Sequence, residues 1–455
     1  MQSPGVAPVS CCPWKREHPG RPACKGLLYS QEVLFLALGW FPFVITALNL
    51  LVLLLPTHPC LRLVPRSPPP STMRTIAPLL ALAGTLALAS KCSSRPYSEW
   101  LASSFVARKS PIDAGYGPAV LYDGIARAAA HVGNATLLAA AEAAVSSLVS
   151  DAGVLDGWDP EWYSLDDLRI GNNLLWFHQR TNETRYKVAA DGLRRQLGRW
   201  PRTPSGGFWH RAPIYEDQMW LDGIYMADAF YATYVSLFEP RNTTAWDEIA
   251  LQFDLIEEHT RNHTSNLLVH GYDEARDAVW ADPVTGASPL VWNRAVGWYF
   301  MALVDTLQVW PRDHPAYGRL LGYFATLADG LERSQDEGGG GWWLIMNEGY
   351  EARAGNYIES SAAAMFAYGL LRGVRDGFLA AKYRDVGLRA YRLLTRDFIR
   401  DDGDGNVSFL GTVRVGSLNS NASFEYYVSI PVVENDARGG GSFIFAAIEA
   451  EKIKA

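Results

Sequence analysis

The sequence has 455 residues, 48% of them apolar and 12% aromatic, with 16 Trp and a formal net charge of −7. A chain of that length and apolar content buries a large core, which excludes a disordered product, and a negative balance with no basic run in the body argues against nucleic acid as a partner. The surplus of Trp suits the flat faces of sugar rings as well as a core.

In chain order, residues 34–55 are nearly uncharged and long enough to span a bilayer. A second apolar run, Ile76 to Ala89, follows Met73 and Arg74 and closes on Ala87-Leu88-Ala89, a small-x-small cleavage pattern. A signal peptide works at an N-terminus, so two export signals in series point to translation from Met73. Residues 1–72 are then expected to be a non-native extension and residues 73–89 a signal peptide, with a single-pass membrane anchor at 34–55 as the alternative. Cys11, Cys12, Cys24, Cys60 and Cys92 are all the cysteines there are, so the body can build neither a disulfide framework nor a thiolate metal site. Six N-x-Ser/Thr sequons, at Asn134, Asn182, Asn242, Asn262, Asn406 and Asn421, add to the expectation of a secreted glycoprotein.

Beyond residue 95, apolar residues recur at three- and four-residue spacing. The periodic runs are Tyr97 to Ala107, Gly117 to Ala130, Thr136 to Val149, Leu168 to Gln179, Thr184 to Leu197, Met219 to Leu237, Trp246 to His259, Val296 to Val309, Ala316 to Arg333, Ser361 to Arg375, Ala380 to Ile399 and Ser442 to Ile453. Strand signals are few; Val407 to Leu410 and Thr412 to Val415 flank Gly411 as a small hairpin would. The helices fall into hairpins recurring every roughly 50–60 residues, a repeat spacing. An open solenoid needs polar capping repeats, whereas a closed ring sets the first and last helices side by side. The apolar run Phe443 to Ala447 gives the last helix something to bury, which favours closure. The expected fold is therefore all-α, an (α/α)6 barrel of six helical hairpins forming one catalytic domain over residues 95–455, in a monomer.

Chemistry is expected where loops are dense in Trp, Gly and charge instead of plain and polar. Five segments qualify: Trp158 to Asp167, Ser205 to Asp222, Leu268 to Asp273, Val291 to Trp298 and Gly338 to Glu359. Asp222 lies inside an apolar helical run, where a carboxyl group is costly unless paired or functional. Burial disfavours the charged form of a carboxyl, which is what a general acid near neutral pH needs; an Asp bonded to backbone or to an Arg is the structural alternative. Asp166 and Asp167 precede a helix and can be read as its cap, though one of them can also point into the ring. Arg294 stands between Trp292 and Trp298, able to grip a carboxylate while the rings stack on a sugar; two core Trp and a surface Arg are the plainer reading. His270, alone after an apolar run, reads by itself as a satisfied core residue.

Several stretches together resemble glycoside hydrolase family 105, the unsaturated rhamnogalacturonyl hydrolases. They are Gly206-Gly207-Phe208-Trp209-His210, Gln218 to Met226, Trp292-x-Arg294-x-x-Gly297-Trp298, Gly355 to Ser361, and Val433 to Asp436 with Gly439-Gly440-Gly441. The resemblance implies an (α/α)6 barrel, no cofactor and no metal. It also implies a pocket for the unsaturated uronic sugar that a polysaccharide lyase leaves on an oligosaccharide. It places catalytic roles on Asp222 and Asp167, and substrate binding on His270, Trp292, Arg294 and Trp298; His210 and Asp166 are further substrate-binding candidates beside them. Ala295-Val296 stands where the family usually carries Gly-Asn, which leaves the neighbouring sugar open. A glucuronyl hydrolase acting on other lyase products, another six-hairpin glycosidase or epimerase, and a non-catalytic sugar-binding protein are the alternatives.

Overall fold

Fourteen helices carry the described residues: α1 Tyr97–Ala107, α2 Tyr116–Val132, α3 Ala135–Ser146, α4 Ile170–Thr181, α5 Thr184–Leu197, α6 Leu221–Gly223, α7 Ala229–Phe238, α8 Thr243–Thr260, α9 Asn293–Val309, α10 Tyr317–Arg333, α11 Ser360–Arg375, α12 Tyr383–Leu393, α13 Phe424–Ser429 and α14 Ala437–Lys454. The computed structural model describes residues 95–110 and 112–454, so the expected extension, the 34–55 span, the signal peptide and all five cysteines lie outside them. No helix among the described residues is long and apolar enough to cross a membrane.

Local chemistry sets the helix ends. Asn134 and Asn242 cap α3 and α8, each Oδ1 accepting from a backbone N–H in the first turn, Leu137 at 3.0 Å and Ala245 at 3.1 Å. Gly133 at φ 72° and Asn182 at φ 59° close α2 and α4 in the left-handed region. All twelve expected helices are present. The run expected from Met219 begins instead as a strand, Gln218–Trp220, and turns helical at Leu221; a π-helical turn, Ile224–Asp228, joins α6 to α7.

Six helices form an inner ring in which each packs on the next: α2, α4, α7, α9, α11 and α14, with α14 returning to α2. Helices α3, α5, α8, α10 and α12 each back their inner partner, and α1 lies against both α2 and α14. This is the closed six-hairpin ring, with the first and last helices side by side. The sequence patterns match the two roles. Helix α11 is buried without a break from Ser360 to Leu371, whereas α10 buries the stripe Leu320, Phe324, Leu327 and Leu331 and turns its other face to solvent.

The expected hairpin about Gly411 does not form. Gly411 turns the chain at φ 77°, but Val407–Phe409 pairs with Ile399–Asp401, and Thr412–Val413 pairs with Val432–Val433. Val407, Phe409, Thr412 and Val413 are all buried, so each short strand takes its ladder bonds from a different neighbour instead of folding onto the other.

Candidate active site

Inner helices alternate with outer ones along the chain, so all six begin at the same mouth of the ring. The five unusual segments meet there, stitched by short backbone ladders. Tyr163–Ser164 pairs with Arg211–Ala212, and Gln218–Trp220 pairs with Gly271–Asp273. The Leu221 N–H donates to the His270 carbonyl at 3.0 Å, Asn293 N–H to Leu344 at 3.0 Å, and Glu359 N–H to Trp342 at 3.1 Å. Such cross-links fix the side chains at the helix starts relative to one another.

Asp222 is the second residue of α6, delivered by the switch from the extended backbone of Trp220 to helix. Its side chain is 14% exposed, and Oδ2 lies 3.1 Å from Nε2 of His270, which is itself fully buried. Nδ1 of His270 is 2.7 Å from the Tyr427 hydroxyl. The structural alternative for Asp222, a partner on the backbone or an Arg, is not what is found: among the described residues its ion-pair partner is His270.

Asp166 comes to the same place from the approach to α4. The cap reading fails, because residues Leu165–Leu168 form a separate 3-10 turn with no side-chain cap and Asp166 Oδ2 instead accepts from Arg211 Nη2 at 2.8 Å. Arg211 Nε also donates to Ser164 Oγ at 3.1 Å. Burial pushes the Asp166 carboxyl up to about 6, against the pull of Arg211, and the charges of Asp167 and Asp222 push the same way. That mutual repulsion ties the three carboxyls into one electrostatic site.

Aromatic rings pack against one another and against His270. Trp298 stacks on Tyr225 with centroids 5.0 Å apart and meets Tyr116 edge-on at 6.3 Å. Side chains from α2, α9 and the turn after α6 can touch in this way only inside the ring. Trp292 lies 4.9 Å from His270 and stacks on Tyr427 at 5.8 Å. His210 stacks on Trp220 at 4.1 Å, and burial holds its imidazole well below its ordinary range, with Arg211 and His270 pushing the same way.

Arg294 differs most from expectation. It lies over the Trp292 ring at 5.4 Å, but it is 1% exposed and Nη2 is spent on Glu359 at 3.4 Å and on the Val413 carbonyl. Nε and Nη1 have no protein acceptor among the described residues. Trp292 and Trp298 are equally enclosed, so neither is an open stacking platform. Trp and Arg side chains flanking a short helix start were legible as a cluster, but not the buried carboxylate of Glu359 that claims the cation from a segment 65 residues away.

Sequence reasoning missed Tyr427, Arg211, Tyr116 and Tyr225. Arg211 follows His210 directly inside one of the five unusual segments, which was its one local signal; its acid partner Asp166 lies 45 residues away. The tyrosines have none, because ring tyrosines in helices read as core. No group of three or more His, Cys, Asp or Glu among the described residues is placed to hold a metal ion.

The family model for Glycosyl Hydrolase Family 88 matches residues 98–454. A solved glycoside hydrolase of family 105 from C. acetobutylicum ATCC 824 is 34% identical, superposes with a TM-score of 0.76, and is covered over 100% of its length by 79% of this chain. A 24.9 kDa protein of the picA locus of Rhizobium radiobacter is 39% identical over 194 residues, 40% of this chain and 82% of that protein. The unsaturated 3S-rhamnoglycuronyl hydrolase of Alteromonas sp. (strain LOR) is 28% identical over 133 residues, 29% of this chain and 31% of the relative.

Proposed function

Because the chain belongs to Glycosyl Hydrolase Family 88 and is a glycoside hydrolase, we propose that it removes the 4,5-unsaturated galacturonyl residue from rhamnogalacturonan lyase products. The observation that carries this reading is the placement of Asp222: a partly exposed carboxyl at the mouth of the ring, held by a fully buried His270 and coupled to Asp166. The likeness to a rhamnoglycuronyl hydrolase supports the substrate class.

The chemistry follows from the substrate, a cyclic enol ether. Protonated Asp222 adds its proton to C4, the alkene electron pair forms the new C–H bond, and positive charge collects on C5 and the ring oxygen. Water attacks C5 and gives its proton to the Asp222 carboxylate. The C5 hemiketal opens to a ketone, and the hemiacetal left at C1 expels the remaining saccharide as an alcohol. One acid serves twice and one water is consumed, so a second carboxylate nucleophile of the ordinary glycosidase kind is not required.

Asp167 and Asp166 with Arg211 surround the acid and are suited to bonding sugar hydroxyls and the attacking water. Arg294 and Trp298 are each 1% exposed, so they back the wall of the site instead of lying open to the sugar. His210, buried against Trp220, supports the wall from behind. Ala295 and Val296 are both fully buried, so the departure there acts on helix packing and not on an exposed sugar contact.

The expected outcome is loss of the ultraviolet absorbance of lyase-treated rhamnogalacturonan on incubation with the protein, with glycosaminoglycan lyase products consumed more slowly. Asp222→Asn should reduce turnover by about a thousandfold or more while the melting temperature holds, as expected for a residue needed only in the transition state. A variant that keeps most of the activity rejects the assignment.

A further inference from the structure

We infer that Tyr427 is a positioning residue: its hydroxyl donates to Nδ1 of His270 and so fixes the tautomer in which Nε2–H donates to Oδ2 of Asp222, leaving Oδ1 to carry the transferred proton. The inference rests on the reading of Asp222 as the acid and deepens it.

The argument is a count of hydrogen-bond donors. His270 is fully buried, with Nδ1 2.7 Å from the Tyr427 oxygen and Nε2 3.1 Å from Asp222. A neutral imidazole offers one donor and one acceptor. If Nδ1 carried the proton, it would donate to the Tyr427 oxygen, and the phenolic proton would then need another acceptor. Tyr427 is fully buried, and its hydroxyl has one side-chain partner among the described residues, His270. A buried O–H without an acceptor is costly, and an imidazolium would leave the same proton stranded. In the opposite arrangement Tyr427 donates to Nδ1, Nε2–H donates to Asp222, and every polar hydrogen is satisfied.

The surroundings hold this geometry. Tyr427 stays a protonated donor, since burial raises its phenol well above the ordinary value, with Tyr426 and Asp222 adding. Trp292 stacks on Tyr427 at 5.8 Å and packs against His270 at 4.9 Å, so neither ring can turn alone. The short helix α13 that delivers Tyr427 is itself capped, Ser423 Oγ accepting from the Tyr426 N–H at 3.1 Å.

The consequence for the reaction is directional. With Oδ2 held by Nε2–H, the acid proton is left to Oδ1, the oxygen not bonded to His270. After transfer to C4, the same N–H stabilises the new carboxylate, and the proton from the attacking water returns to Oδ1. Proton count is conserved over the cycle: one leaves Oδ1 and one comes back.

Two measurements on the full chain test this. Tyr427→Phe keeps the ring and removes the donor; kcat should fall about tenfold, the worth of one buried hydrogen bond, with KM and melting temperature little changed. Tyr426→Phe, one residue away, should leave kcat unaltered. Nitrogen NMR of the wild-type imidazole should show His270 Nδ1 as the unprotonated nitrogen and Nε2 as the protonated one. An unaltered kcat in Tyr427→Phe, or a wild-type Nδ1–H tautomer, overturns the inference, and the tautomer alone decides if the variant does not fold. Should the wild-type protein leave every lyase product intact, the acid role of Asp222 falls and this inference with it. Turnover by an unaffected variant removes the Tyr427 step alone.

Discussion

Asp166 links the stability of the fold to pH. Its carboxyl is lifted to about 6 from an ordinary 3.8, chiefly by burial, with Asp167 and Asp222 facing it and Arg211 bonded to it. The folded protein therefore holds this proton more tightly than the unfolded chain. The associated stabilisation is complete below the unfolded value and is lost as pH rises through about 6. Asp166→Asn keeps an acceptor for Arg211 but cannot ionise. Its melting temperature should fall less than the wild type's between about pH 4 and about pH 7.5, read by thermal unfolding at matched salt; equal slopes would place the proton elsewhere. At this scale Asp222 was legible, since a carboxyl in an apolar run is anomalous whatever its partners, whereas Asp166 beside Asp167 read as a helix cap. The environments of Arg294 and His270 were not, because Glu359 and Tyr427 reach them from 65 and 157 residues away. Contact at that separation leaves no local pattern.

Helices were legible because three- and four-residue spacing reports which face is buried, and in a ring every helix has such a face. What escaped are the elements set by phase and by tertiary pairing. The π turn Ile224–Asp228 adds a residue to a helical turn and shifts the register between Asp222 and the rest of its rod, yet the apolar spacing survives it. Helix α13 is one and a half turns long, too short for a period. The Gly411 turn was visible while its strand partners were not. The outer helices carry a cleaner test of local propensity. Gly322 sits in the middle of α10, exposed, and a Cβ built on it meets nothing within 4 Å. Gly322→Ala should therefore stabilise the protein by about 0.5–1 kcal/mol, since only backbone entropy changes. The midpoint of urea unfolding should rise with no change in its slope.

Ring closure decides whether the mouth keeps its shape, and closure depends on glycine at one seam. Along α14, Gly439, Gly440 and Gly441 each lie against a different neighbour: Thr412 of the rim, Phe105 of α1, and the backbone of Val120 in α2. At the third contact α2 answers with its own glycine, Gly124, whose Cβ would meet the Gly441 carbonyl at 3.2 Å. The two helix backbones can approach closely only because neither carries a side chain there, the close-packing use of glycine. A Cβ on Gly441 would come within 2.8 Å of the Val120 carbonyl oxygen, a backbone atom that cannot swing aside as a side chain can. Gly441→Ala must push α14 away from α2 and so strain the last joint of a ring whose other five joints are already made. The expected cost is about 1–3 kcal/mol of stability, seen as a lower urea midpoint. The same exchange of glycine for alanine thus carries opposite signs at Gly322 and Gly441, although helix propensity favours alanine at both. A stabilised Gly441→Ala would mean that α14 and α2 are free to move apart, and that the ring is held at its other seams.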